Sequence, residues 1–220
     1  MGGKLIVFEG TDGSGKSTQF QKLCDRLDGM GRGYRRLVFP QYDQPSSALI
    51  RMYLGGEFGT HPQDVSPYAA SAFYAVDRYA SWRKVWGEDY KNGGLILADR
   101  YTTSNAVHQG AKCAPEERQA FFRWLDEFEH DKLGLPRADL VVYLDMPTEK
   151  AVELLRSREA STNTKADIHE LDTAYLAACR ACADSYTALA AATGQRSMRL
   201  RAALLRIGLP AYQAFLKHKT

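Results

Sequence analysis

Residues 10–17 read Gly10-Thr11-Asp12-Gly13-Ser14-Gly15-Lys16-Ser17, with Leu5-Ile6-Val7-Phe8-Glu9 ahead of them and a helical pattern behind. The octet fits G-x-x-x-x-G-K-[ST], and strand before, helix after is the context that motif requires. Its glycines let the backbone curl until its N–H groups point inward at phosphate oxygens. The following helix adds its positive N-terminal end. Lys16 can reach β- and γ-phosphates, and the Ser17 hydroxyl can ligate Mg²⁺. Alone, the loop says only that a nucleoside triphosphate is bound. The chain has no convincing N-K-x-D tetrad for reading guanine, which weakens a GTPase reading.

Outward from the loop, short apolar runs alternate with longer helical patterns. That alternation predicts a parallel sheet with helical crossovers, an α/β fold. Strands are expected at 5–9, 36–39, 95–99 and 140–145, each nearly continuous in apolar residues and so buried on both faces. A fifth is expected near 196–200. Helices are expected at 16–30, 46–54, 66–86, 115–133, 148–158, 169–192 and 201–217. Ser66-Pro67 supplies a cap and a first-turn proline for the third of these. The polar stretch 159–168 between two long helices reads as a mobile loop covering a site.

At 220 residues the chain is expected to form one domain, 1–220, with no repeat or low-complexity linker. A net charge of +3 does not indicate nucleic-acid wrapping but suits a local pocket for a small polyanion. Four cysteines, of which Cys179 and Cys182 form a C-x-x-C, lack a second ligand pair nearby, so packing within a helix is the expected role. The chain reads as reduced and intracellular. No signal peptide is expected from the N-terminal residues, and no apolar run nears the ~18 residues that span a membrane.

Three further segments narrow the choice of acceptor. Asp99-Arg100 follows a buried strand, where ligands of open α/β sheets sit. Asp99 could help hold Mg²⁺ or its water shell, and Arg100 could clamp a phosphate through two N–H groups. The competing reading is a surface pair capping a helix. Tyr74 and Arg78 share a helix face, so a ring could stack on a base while a guanidinium bonds its edge. The competing reading is a packed aromatic and a solvated arginine. Arg156, Arg158 and Lys165 flank or lie in the polar loop, where cations could be brought onto a transferring phosphoryl group. They could equally be a solvated helix end.

Together, FEGTDGSGKSTQ, FPQY at 39–42, YAVDR at 74–78, DRYTTSNAVHQG at 99–110 and DIHELD at 167–172 resemble the thymidylate kinases, over most of the chain and in the same order. The resemblance implies a phosphate-loop, three-layer α/β/α fold with a five-stranded parallel sheet and a mobile lid, here about 156–168. It implies transfer of the ATP γ-phosphoryl group to dTMP with Mg²⁺, giving dTDP for dTTP synthesis, in a cytoplasmic homodimer. ATP would lie on Gly10, Gly13, Ser14, Gly15, Lys16, Ser17 and Thr18, with the metal at Ser17 and Asp99. Lys16 and Arg100 would hold phosphates between donor and acceptor, and Asp12 would face the acceptor's 3′-hydroxyl. Phe39, Tyr42 and Ser104 would line the acceptor site. Tyr74 would stack on the base, Arg78 and Asn105 would bond thymine, His108 would lie near the sugar, and His169 and Glu170 would approach where the lid joins its helix.

The chain departs from that pattern in two places. Gly13 and Ser14 stand where many relatives carry a basic residue in the phosphate loop, which moves the expected transition-state charge to Arg156, Arg158 or Lys165. His108 stands where relatives often have Tyr or Phe. The acceptor phosphate is already nucleophilic, so positioning and charge neutralisation carry the reaction. Two rivals share the loop: another phosphate-loop kinase, such as a deoxynucleoside kinase, and a non-catalytic nucleotide-binding regulator.

Overall fold

A computed structural model describes residues 2–162, 173–192 and 197–201. The first strand, β1 (Lys4–Glu9), lies at the centre of a wholly parallel sheet because its residues are buried almost throughout. β2 (Arg35–Val38), β3 (Leu95–Asp99) and β4 (Leu140–Asp145) complete the order β2-β3-β1-β4. A further backbone segment, β5 (Ser197–Arg201), pairs parallel with β4 from Val141↔Ser197 to Asp145↔Arg201. Register brings Phe8 and Val38 opposite Asp99, so the carboxyl ends of three strands open onto one crevice.

Alternation along β1 assigns its side chains to two cores. Ile6 and Phe8 pack with Phe20, Leu23, Cys24 and Leu27 of α1 (Lys16–Gly29). Leu5 and Val7 pack on the other face with Leu37, Ile96, Ala98, Tyr101 and Trp86. Burying a Leu or Phe side chain in this way stabilises by ~2 kcal/mol.

A 3-10 turn at Pro45–Ser47 leads into α2 (Ala48–Leu54). The long run that follows is α3 (Pro67–Ser81), a π-helical stretch at Trp82–Trp86 and α4 (Gly87–Lys91). Ser66 caps it by accepting from the Ala69 amide at 3.1 Å. The wider π turn passes at Gly87, where a Cβ would lie 2.4 Å from the Trp82 carbonyl. Trp82, Trp86 and Tyr90 meet edge to face there. α5 (Thr102–Gly110) follows β3, then α6 (Arg118–Asp126) and a second π stretch, Glu127–Lys132. α7 (Thr148–Thr162) follows β4, and α8 (Thr173–Ala192) packs on α5.

Several expectations need correction. β2 buries only Leu37, because it is an edge strand whose Arg35, Arg36 and Val38 face solvent. The expected helix 115–133 begins at Arg118 and turns π from Glu127. α5 had not been foreseen as a helix. Residues 159–162, expected to open a loop, are helical instead, since α7 runs on through Arg158-Glu-Ala-Ser-Thr to Thr162. Residues 163–172, with the rest of the expected lid, lie outside the described residues. Arg201 belongs to β5 and not to a helix, and 202–220 lie outside the described residues as well.

Cys179 and Cys182 are wholly buried on α8, and Cys182 Sγ lies 3.2 Å from the Ala106 carbonyl. Burial pushes the Cys182 thiol up to about 12, away from the thiolate that metal or redox chemistry uses. Among the described residues no helix is long and apolar enough to cross a membrane.

Candidate active site

The phosphate loop closes on itself through Ser14 N–H to the Thr11 carbonyl at 3.1 Å. Gly13 and Gly15 take φ of 76° and 78°, and α1 begins at once behind them. A Cβ on Gly13 would lie 2.3 Å from the Ala151 carbonyl at the start of α7, so no side chain fits at that point. That contact leaves no room for a basic side chain at 13. Ser14 Oγ is buried and makes no hydrogen bond among the described residues.

Lys16 turns its ammonium onto the Asp99 carboxylate at the end of β3. Burial, and then the Arg100 guanidinium, pull the lysine below its ordinary value, against the raising effect of Asp99. Ser17 Oγ lies 3.3 Å from the other Asp99 oxygen. A hydroxyl and a carboxylate at this separation are hard oxygen donors of the kind Mg²⁺ takes when phosphates complete its shell. The residues present therefore fit that ion.

Arg100 leaves β3 in the left-handed region, φ 68°, anchored by its own N–H to the Phe8 carbonyl at 2.9 Å. Such a backbone costs a non-glycine residue about 1–3 kcal/mol and persists only where the surroundings over-determine it. Here it swings the guanidinium toward Asp12, with Glu9 Oε1 at 3.4 Å, Ser104 Oγ at 3.3 Å and His108 Nε2 at 3.0 Å. Burial opposes the charge, but Asp12, Glu9 and Asp99 outweigh it and hold the guanidinium above its ordinary value. An arginine nitrogen can only donate, so His108 Nε2 accepts and the proton sits on Nδ1, 3.7 Å from Cys179 Sγ.

Glu9 was not foreseen. It is 1% exposed and accepts from Gly10 N–H (3.0 Å), Thr103 Oγ1 (3.0 Å) and Ser104 Oγ (2.6 Å). It ties the phosphate loop to the first turn of α5. Its one sequence signal was its place, as the last residue of the strand before the loop.

A single pocket brings Asp12, Phe39, Tyr42, Tyr74 and Arg78 together with Arg100, Ser104, Asn105 and His108. Leu54, Tyr101 and Gln109 also line it, and none of these was foreseen. Gln109 Oε1 is buried there with no partner among the described residues. Asp77, wholly buried, accepts from Gln41 N–H (2.8 Å) and Ser46 Oγ (2.6 Å), which fixes the loop carrying Phe39 and Tyr42 against α3.

Arg78 is not solvated. Its Nε and Nη2 each donate to Glu129 at 2.7 Å, a buried two-point fork. Asn105 Nδ2 donates to Glu129 Oε1 at 3.0 Å and to the Ser71 carbonyl at 3.1 Å. Glu129 was missed because it lies 51 positions from Arg78 and an exposed glutamate looks the same in sequence. Of the expected lid cations, Arg156 is exposed on α7. The Arg158 side chain, Lys165, His169 and Glu170 lie outside the described residues.

A family model described as thymidylate kinase matches residues 8–197. The thymidylate kinase of Mycobacterium tuberculosis (strain H37Rv) is 34% identical over 155 residues, covering 70% of this chain and 71% of its own. That of Homo sapiens is 31% identical over 153 residues, covering 69% and 65%. A thymidylate kinase structure from Candida albicans superposes with a TM-score of 0.65 at 21% identity, over 99% of this chain and 89% of the other, a likeness of fold.

Proposed function

The chain belongs to the thymidylate kinase family and phosphorylates dTMP, and we propose that it does so by passing the ATP γ-phosphoryl group to the dTMP phosphate within the crevice described above. The observation that carries this is the placing of Lys16, at the head of α1, on Asp99, next in sequence to Arg100, which lines a pocket walled by Tyr74, Arg78 and Asn105.

The backbone N–H groups from Gly10 to Thr18 and the Lys16 ammonium hold the ATP phosphates. Ser17 and Asp99 would hold Mg²⁺, which would supply charge neutralisation to the bound phosphates. Arg100 exchanges its internal carboxylate partners for the acceptor phosphate and orients it in line. Asp12 faces the sugar 3′-hydroxyl, and His108 and Ser104 line the sugar side. Tyr74 stacks on thymine, with Phe39 and Tyr42 closing the pocket. Arg78 Nη1, outside the Glu129 fork, donates to a thymine carbonyl. No general base is needed, because the phosphate monoester is already a nucleophile.

The whole chain acts as one domain, with the family's five-stranded sheet and a lid about 156–168. Arg156, Arg158 and Lys165 deliver charge from the lid, and His169 and Glu170 approach the acceptor. Val76 and Tyr79, 51% and 38% exposed one turn apart on α3, suit a homodimer contact. Four free cysteines suit a reducing cytoplasm.

The test is ADP release with ATP and Mg²⁺ against dTMP, dUMP, AMP, GMP, CMP and unphosphorylated thymidine. Turnover strongest with dTMP supports the reading. Turnover of thymidine would overturn the assignment of Arg100 to the acceptor phosphate. ATP binding with no turnover of any acceptor would leave a nucleotide-binding regulator instead.

A further inference from the structure

We propose that Glu129, behind the pocket wall and not in it, is a positioning residue that fixes the hydrogen-bond polarity presented to the acceptor base, and so selects thymine over cytosine. This rests on the dTMP reading above and deepens it.

Glu129 is 0% exposed and stands on the π stretch Glu127–Lys132, whose wider turn is marked by Leu133 N–H reaching back to the Phe128 carbonyl at 3.0 Å. An ionised carboxylate can only accept. Its two oxygens take Nε and Nη2 of Arg78, and Oε1 also takes Nδ2 of Asn105. The second Nδ2 hydrogen goes to the Ser71 carbonyl, another group that can only accept.

An asparagine amide can ordinarily be turned over at little cost, since its two ends have the same shape. Here the turned amide would set Oδ1 against a carboxylate and a carbonyl. Both hydrogens of Asn105 are thus held on the inner side, and Oδ1 is the atom left for the pocket. The same carboxylate holds two nitrogens of Arg78 and leaves Nη1. Arg78 and Asn105 both line the pocket, so the base meets one donor and one acceptor in fixed order.

The edge of thymine carries the complement, an accepting C4 carbonyl and a donating N3–H. The edge of cytosine carries the reverse, a donating 4-amino group and an accepting N3. A site built to hydrogen-bond an edge rejects the analogue that leaves its buried groups unpaired far more strongly than shape alone would.

The experiment compares wild type and Glu129→Gln with dTMP and with 5-methyl-dCMP, which has the same outline and the opposite edge. In wild type dTMP is preferred in kcat/KM by on the order of a thousandfold. Glutamine can donate, so it removes one of the two acceptors that oppose the turned Asn105 amide. In the variant, KM for dTMP rises about tenfold while kcat stays within about twofold, and the preference for dTMP falls at least about tenfold. An unchanged preference in the folded variant overturns the proposal. Absence of dTMP turnover in wild type overturns the substrate reading instead.

The substitution leaves a buried arginine short of its counter-charge, which can unfold the chain. A wild-type measurement therefore runs beside it, with dTMP methylated at N3. That analogue has no hydrogen for Asn105 Oδ1 and is expected to lose at least about a hundredfold in kcat/KM. Turnover equal to that of dTMP would overturn the fixed polarity without any variant.

Discussion

Lys16, at the head of α1, and Asp99, at the end of β3, hold each other, ammonium on carboxylate. The Asp99 carboxylate offsets part of the cost of burying that ammonium, and its other oxygen lies beside the Ser17 hydroxyl.

Lys16→Ala is expected to lower kcat at least about a hundredfold, as loss of a donor to developing phosphoryl charge does. ADP release with saturating dTMP measures it, and turnover within a few-fold of wild type would remove Lys16 from the reaction. Because burial holds this lysine below its ordinary value, ATP affinity of the nucleotide-free protein is expected to fall on the alkaline side at a lower pH than an exposed lysine would dictate.

Tyr74→Ala is expected to raise KM for dTMP about tenfold or more, since stacking on a base is worth about 1–3 kcal/mol. Tyr74→Phe keeps the ring and should leave KM within about twofold of wild type. Equal KM for alanine and wild type would show that the ring does not touch the base.

Gly13→Ala tests the closeness of the loop to α7. Its left-handed φ costs an alanine about 1–2 kcal/mol, and its Cβ would be 2.3 Å from the Ala151 carbonyl, so the loop has to move. A lower melting temperature together with weaker ATP binding is expected. An unchanged Tm would contradict the geometry.

Lys112 bridges α5 to its neighbours through the Tyr53 hydroxyl (2.8 Å) and the Val65 carbonyl (3.0 Å), and burial lowers it to about 8. Between that value and the ordinary lysine value of 10.5, the unfolded chain binds more protons than the folded one. Stability from this residue therefore rises with pH across that window and is lost as pH falls through about 8. Melting of wild type and Lys112→Met from pH 7.5 to 10 should show wild type gaining relative to the variant, by roughly the titration of one proton. Parallel curves would rule this out.

β1, β3 and β4 were readable because each carries a nearly continuous apolar run of four or five residues, and β1 leads directly into the glycines of the phosphate loop. β2 was misjudged as doubly buried, since position in a sheet is decided by its neighbours and not by its own four residues. α5 opens Thr-Thr-Ser-Asn, all poor helix formers, and forms because Thr103 and Ser104 bond the buried Glu9. The pocket residues proposed to touch substrate, such as Arg100 and Tyr74, carried their chemistry in a local motif. Those that hold others in place, Glu9, Asp77 and Glu129, are ordinary acids in the sequence. They become visible only when residues far apart in the chain are brought within hydrogen-bond reach.

Asp77 has a consequence for the shape of molecule the pocket admits. It suspends the Gln41–Ser46 loop from the same helix that bears Tyr74 and Arg78. The opposing jaws are thereby clamped in one rigid piece, and widening the gap would mean tearing a buried carboxylate from its donors. The pocket works as a fixed-gap caliper. A bulky substituent at the base's 5-position would meet a frame that does not yield, and size selection there is expected to be set before any lid moves.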